Sequence, residues 1–225
     1  MIQSRTLEFL RALKENNSKE WLTENRADYD FAKDDVLGLA EQLITLVSEF
    51  DETIARAFLD PKKCITRLNR DLRFSKDKTP YKTDYYIVLN KDGKNSSSAF
   101  YYLHLEPGNC STGGGIYNPS SKRLNEIREK IDYSFKEWKA IVEGKSFTRT
   151  FASGIHNSGT LVRIPRGFDD NSPAKDYLKM KGFFTMEPFT DEEMCSSKVL
   201  GVTVDYFKAV KPLVDYLNSP ISKQT

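Results

Sequence analysis

The stretch RDLRFSKDKTPYK, from Arg70 to Lys82, gathers residue types suited to holding an anion. Between Lys62 and Lys82 there are eight cations (Lys62, Lys63, Arg67, Arg70, Arg73, Lys76, Lys78 and Lys82) against two acids, Asp71 and Asp77. That is a local excess of six charges in a chain whose formal net charge is +2. Arginine presents a planar fork of donors that matches a phosphate or carboxylate bidentately. In an extended chain, side chains two apart share a face, which aligns Arg67, Asn69, Asp71 and Arg73. Asp71 is then expected to hold one guanidinium and leave the other to a ligand. Ser75 and Thr79 add hydroxyl donors, and Arg70, Lys78, Tyr81 and Lys82 complete the candidate anion-binding set, with Asp77 in support. The competing reading is a solvated charged face, or a set of internal salt bridges.

A second candidate is YYLHLEPG, from Tyr101 to Gly108, where alternation places Tyr102, His104 and Glu106 on one face. A histidine beside a carboxylate is an acid–base pair in form, so His104 and Glu106 are the catalytic candidates and Tyr102 their support. The alternative is a structural histidine satisfied by a neighbour. In GNCSTGGGIY, Gly113, Gly114 and Gly115 would let backbone N–H groups approach an anion, although a hairpin connection or bulge explains them as well. A fourth stretch, VRIPRGFDDNSPAKDYLKMKGFF, carries Arg163, Arg166, Lys175, Lys179 and Lys181. His104 and His156 are far apart, no clustered cysteines or H-E-x-x-H occur, and no phosphate-loop or dinucleotide spacing is present. No cofactor and no metal are expected.

The elements that must position these residues follow from periodicity. Leu7, Phe9, Leu10 and Leu13 make a short helical stripe, and NSKE from Asn17 to Glu20 has the form of a capping box. Phe31, Ala32, Val36, Leu39, Ala40, Leu43, Val47 and Phe50 recur in steps of three and four, so a long helix is expected near 27–50. The period then changes to two. Strands are expected over 64–74, 84–90 and 98–106, with another short one at STGGGIY, forming an antiparallel sheet. Helices return at SSKRLNEIREKI and FKEWKAIV, with extended pieces around 147–151 and 160–164. SPAKDYLKM opens a helix at Ser172-Pro173, TDEE forms a capping box, and a last helix carries Pro212 as a kink. Helices, strands and helices in that order predict a single α+β domain: helical over 1–60, a sheet core over about 62–118, then helices and short strands over 119–225.

Composition narrows the function classes. Aromatic residues make up 12% of the chain, too many for a disordered protein. A net charge near zero argues against coating nucleic acid or anionic membrane over the whole surface, while a local basic site survives that test. Cys64, Cys110 and Cys195 are odd in number and widely spaced, which fits reduced thiols in the cytoplasm. The N-terminus reads as an amphipathic helix rather than a signal peptide, and no apolar run reaches transmembrane length.

Taken together, RLNRDLRFSKDKTPYK, YYLHLEPG, GGGIYNP and RIPRGFDDNSPAKDYLKMKGFF resemble the bacterial and fungal domain-of-unknown-function 2461 family, over nearly the whole chain. The resemblance implies one compact domain and a site around the basic motif, and supplies no activity. It departs from the family pattern at Asp84, where His or Asn is frequent, at Ser172, where His is frequent, and at Tyr117, where Trp is frequent. The function expected is binding, with or without turnover, of a small phosphate- or carboxylate-bearing ligand in one basic cleft built from the RDLRFSKDKTPYK segment and the YYLHLEP strand, with Arg67, Arg73 and His104 together. An anionic macromolecule, nucleic acid or acidic protein, and a purely structural salt-bridge network are the alternatives. No membrane partner is expected.

Overall fold

Leu7, Phe9, Leu10 and Leu13 are all buried along one stripe of α1 (Ser4–Glu15). The computed structural model describes residues 1–94 and 96–219. After α1, Ser18 caps α2 (Lys19–Glu24) by accepting from the Trp21 N–H at 3.1 Å. The cap is thus one residue later than the NSKE spacing predicts, and Glu20 closes no box. The long helix is α3 (Arg26–Ser48), which buries Ala32, Val36, Leu39, Ala40, Leu43 and Val47. Each fully buried leucine of that stripe contributes about 1.5–3 kcal/mol of apolar transfer. Asp51 caps α4 (Glu52–Ala57), and Asp60, with Pro61 at the first helical position, caps α5 (Pro61–Cys64).

The sheet is built from β1 (Tyr85–Leu89), β2 (Phe100–Leu105) and β3 (Cys110–Ile116), joined later by β4 (Phe183–Phe184) and β5 (Glu187–Phe189). The strand order is β1-β2-β3-β4, with β5 also paired to β3. The fold is α+β, an antiparallel sheet with helices at both ends of the chain. Between β3 and β4 lie α6 (Ser121–Tyr133), α7 (Phe135–Val142), α8 (Lys145–Thr150) and α9 (Lys175–Leu178). The chain then continues through α10 (Asp191–Cys195) and α11 (Val199–Asn218), which carries Pro212 in its interior. Thr190 and Glu193 form the capping box of α10 reciprocally, at 3.1 and 2.7 Å. No helix among the described residues is long and apolar enough to cross a membrane.

Two compact units emerge. The first comprises Met1–Lys94, Tyr102–Thr112 and Pro188–Asp205. Within it, α1 packs on α3, and α3 on α4, α5 and β1. The second contains the described residues of Asn95–Tyr101, Gly113–Glu187 and Tyr206–Thr225. Its centre is Trp138, fully buried, with Tyr177, Phe183 and Tyr216 at ring-centroid distances of 5.3, 5.6 and 5.4 Å.

Several sequence expectations are corrected. No regular strand covers 64–74. The chain makes an isolated bridge at Ile65↔Ile87, and a second at Asn69↔Tyr81 as it doubles back. Phe74, expected on the apolar face of that strand, is 94% exposed. Phe147 to Thr150 is not extended but lies in α8, with Phe151 at its C-cap and the Phe147 and Phe151 rings 5.2 Å apart. Around 160–164 only the bridge Thr160↔Met180 is made. Ser172 and Pro173 precede α9 instead of opening it, and its cap position is Ala174.

The three glycines of β3 allow the strand to be approached closely by the protein's own backbone. A Cβ on Gly115 (φ +131°) would sit 2.2 Å from the Phe183 carbonyl oxygen and 2.6 Å from Phe184 Cα. One on Gly113 would sit 2.2 Å from the Thr185 carbonyl oxygen. Gly115→Ala is therefore expected to lower stability by about 2 kcal/mol or more. Gly38→Ala, on α3 with nothing within 4 Å of its Cβ, is expected to raise it by up to about 1 kcal/mol. Urea unfolding of both variants checks the opposite signs.

Candidate functional site

The basic segment is placed by hydrogen bonds from two directions. The Thr66 N–H donates to the Tyr86 carbonyl at 2.9 Å, and the Tyr86 N–H donates to Thr66 Oγ1 at 2.8 Å, so the segment starts against β1. The chain then closes on itself: the Arg70 N–H donates to Pro80 O at 3.0 Å and the Lys82 N–H to Leu68 O at 2.7 Å. The second direction is Asn17, between α1 and α2. Its Nδ2 donates to Tyr81 O at 2.9 Å, and its Oδ1 accepts from the Tyr81 N–H at 3.0 Å. This side-chain clamp closes the backbone of a residue 64 positions away.

Inside the loop the two acids are already engaged. Asp71 holds Arg73 by both oxygens, with Nε at 3.0 and 3.2 Å and Nη2 at 2.6 Å. That pairing lowers the Asp71 carboxyl and raises the Arg73 guanidinium from their ordinary values. Asp77 accepts from the Thr79 N–H at 2.9 Å and from Thr79 Oγ1, and it pairs with Arg70 at 2.5 Å. The Thr79 backbone bond first, then Arg70, hold the Asp77 carboxyl down at about 2. Arg70 also reaches the Thr79 hydroxyl, and Ser75 Oγ at 3.4 Å. Lys78 Nζ donates to Leu72 O at 3.2 Å.

What remains is a cleft of about 570 Å³ lined by Lys19, Arg67, Arg70, Asp71, Arg73 and Tyr81, among others. Asp71 is the single acid in that lining against four cations. Lys19 and Arg67 are exposed, and neither pairs with a carboxylate of the described residues. Lys94 is close enough that, after burial, the charges of Arg67 and Lys82 push its ammonium below the ordinary value. Its Nζ donates to the Ile65 carbonyl.

His104 does not line this cleft. It lies on β2, 6% exposed, with its ring stacked on Tyr86 at 4.1 Å and 17°. Its Nε2 is 3.2 Å from Asp84 Oδ2 and 4.0 Å from Glu106 Oε2. Glu106 also accepts from Asn109 Nδ2 at 2.7 Å and lies 4.0 Å from Lys14. Tyr102, at 6.1 Å from Tyr86, completes this patch. Gly113, Gly114 and Gly115 are buried within β3, and their open side is taken by Thr185, Phe183 and the valines of α11.

Sequence reasoning missed Asn17, Lys19 and the role of Asp84. Only Asp84 carried a signal: it has the parity of Tyr86 on β1, as His104 has that of Glu106 on β2. The thiols are poor nucleophiles, since burial pushes both Cys64 and Cys110 up to about 11. Among the described residues no group of three or more His, Cys, Asp or Glu side chains is placed to hold a metal ion.

Residues 5–216 match the model of a family described as a conserved hypothetical protein, DUF2461, and the chain belongs to that family. No curated protein and no solved structure matches the chain.

Two outcomes test how the segment is held. Carboxyl NMR should show Asp77 titrating at about 2, and Arg70→Ala should move that midpoint up, short of the ordinary value because the Thr79 bond stays. A folded-state value below the unfolded one of about 3.9 means that the contribution of Asp77 to loop order is present above the unfolded value. It is lost as pH falls through the folded one. Asn17→Ala should cost about 1–2 kcal/mol, with faster hydrogen exchange at the Arg70 and Lys82 amides.

Proposed function

We propose that this member of the DUF2461 family binds an anion carrying at least one phosphate or carboxylate group in the cleft beside the Arg70–Tyr81 segment. The observation that carries the reading is Arg67: an exposed guanidinium in a four-cation lining, without a carboxylate partner among the described residues. Gathered cations repel one another, and here Asp71 and Asp77 relieve only Arg73 and Arg70. An anion from outside relieves the rest. Arg67 supplies the fork, Lys19 a point charge from α2, and Tyr81 a ring wall. Each charge-assisted hydrogen bond contributes about 1.5–3 kcal/mol where water is excluded, and a micromolar affinity needs about 8 kcal/mol after ordering costs. The open, exposed cleft makes that affinity salt-dependent.

Binding fits the geometry better than turnover does. A proton donor has to reach the reacting group, and the His104 ring is enclosed and already engaged by Asp84. An anionic macromolecule is the second reading, favoured by the openness of the cleft. The three free cysteines agree with a reducing, cytoplasmic setting.

Calorimetric titration with phosphate, sugar phosphates, dicarboxylates and short oligonucleotides tests the proposal. Arg67→Ala should weaken binding at least about tenfold, the loss of one charge-assisted contact. Arg73→Ala, which leaves Asp71 uncompensated at the cleft, should weaken it less. An affinity above millimolar for every anion, or unchanged binding by Arg67→Ala, overturns the proposal.

A further inference from the structure

A second basic groove lies wholly within the other compact unit. It has a volume of about 580 Å³ and is lined by Arg163, Arg166, Lys175 and Lys179, with Phe168 and Pro165 among the apolar residues beside them. Asp170 is the acid in its lining. Among the described carboxylates, Lys179 has Asp176 at 4.0 Å, and Arg163, Arg166 and Lys175 have no partner. Two forks and an ammonium thus face solvent unneutralised.

The walls of the groove are fixed at both ends. On one side the Leu161 N–H donates to Lys179 O at 2.8 Å, and the Lys181 N–H to Gly159 O at 2.9 Å. On the other side Ser172, 5% exposed, donates through Oγ to Asp132 on α6 at 2.5 Å and accepts from the Ala174 N–H at 3.1 Å. The Asp169 carboxylate accepts from the Asn171 N–H at 2.8 Å and its carbonyl from the Ser172 N–H at 3.0 Å, which shapes the turn that leads to Ser172.

We infer that this groove binds a nucleotide, with phosphate on Arg163 and Arg166 and the base against Phe168. The volume falls in the range of small-ligand sites. Arginine forks select phosphate or carboxylate over halide-like point anions. The apolar wall distinguishes among the oxyanions: inorganic phosphate and dicarboxylates have no flat apolar part to cover Phe168 and Pro165, whereas a base stacks on an aromatic ring. Val162, 94% exposed beside Arg163, extends that apolar rim. The same chemistry occurs in a free mononucleotide and in a single strand, and the test separates the two. The inference is independent of the cleft at Arg67.

The experiment is titration of the full chain with ATP, with inorganic triphosphate and with a short single-stranded oligonucleotide, followed by amide NMR shifts over residues 161–179. The altered side chains are at or near the surface, and unchanged thermal unfolding confirms that each variant folds. The double variant Arg163→Ala/Arg166→Ala should weaken ATP binding at least about tenfold. Phe168→Ala should weaken ATP several-fold and leave inorganic triphosphate unchanged. Arg67→Ala should leave the shifts at 161–179 intact. Tighter binding of ATP than of the oligonucleotide identifies a mononucleotide site, and the reverse identifies a strand. If ATP binds no tighter than inorganic triphosphate, if the double variant binds equally well, or if Arg67→Ala abolishes the shifts at 161–179, the inference falls.

Discussion

Two carboxylates, Asp71 and Asp77, govern the basic segment. Each holds one neighbouring arginine and accepts a backbone N–H two residues on. Coulomb attraction between exposed charges is weak in water. Their larger effect is geometric, since an aspartate that binds the backbone two residues ahead fixes a turn. Two such turns make a loop that is neither strand nor helix. In so doing they divide the cations into two classes, those consumed in holding the loop and those left at its border. Arg70 and Arg73 are consumed, and Arg67 is left. Lys82 stands close enough to Lys94 to disfavour its charge, as Arg67 does. The functional reading depends on that division more than on the number of positive residues.

The ends of the loop are tied to other elements of the fold. Thr66 joins it to β1, and Asn17 clips Tyr81 to the α1–α2 junction. Lys19 follows Asn17 by two residues, at the start of α2, so the same junction brings an ammonium into the lining. The cleft is thus a product of a helix-capping turn as much as of the basic motif. Ser18 caps α2 while its neighbour Asn17 turns to the loop. The Asn17 side chain is committed to Tyr81, and the cap falls on Ser18.

The elements most legible in the sequence were those with a clear local pattern. The α3 stripe and FKEWKAIV as α7 show the helical period, and the strands near 84–90 and 98–106 were read from a period of two. The segment 64–74 has the same alternation, and there it misleads. Cys64, Ile65 and Leu68 are buried, but Phe74 lies beyond the point where the chain leaves β1, so its apolar side chain meets solvent. Alternation reports what a strand would do if it had a neighbour, and it cannot report whether the neighbour is there. The triple glycine is a similar case. It does mark a close approach, but the approaching group at Gly113 and Gly115 is the backbone of Phe183 to Thr185, far along the chain and invisible to local reading. The Asn17–Tyr81 clamp is non-local in the same way. Charges are easier to count than to assign, because partner choice is a tertiary property.

His104 shows where composition and geometry part. With two histidines in the chain, one beside a glutamate on a strand face has the form of a catalytic pair. In the fold its ring lies flat against Tyr86, and Nε2 faces Asp84 more closely than Glu106. A buried polar ring without partners costs about 1–3 kcal/mol, and this arrangement removes that penalty. It also orders the polar edge of β1 and β2, because Asp84 sits where the basic segment re-enters the sheet, two residues after Lys82. The contact between His104 and Asp84 thus ties β2 to the residues through which the basic segment joins the sheet.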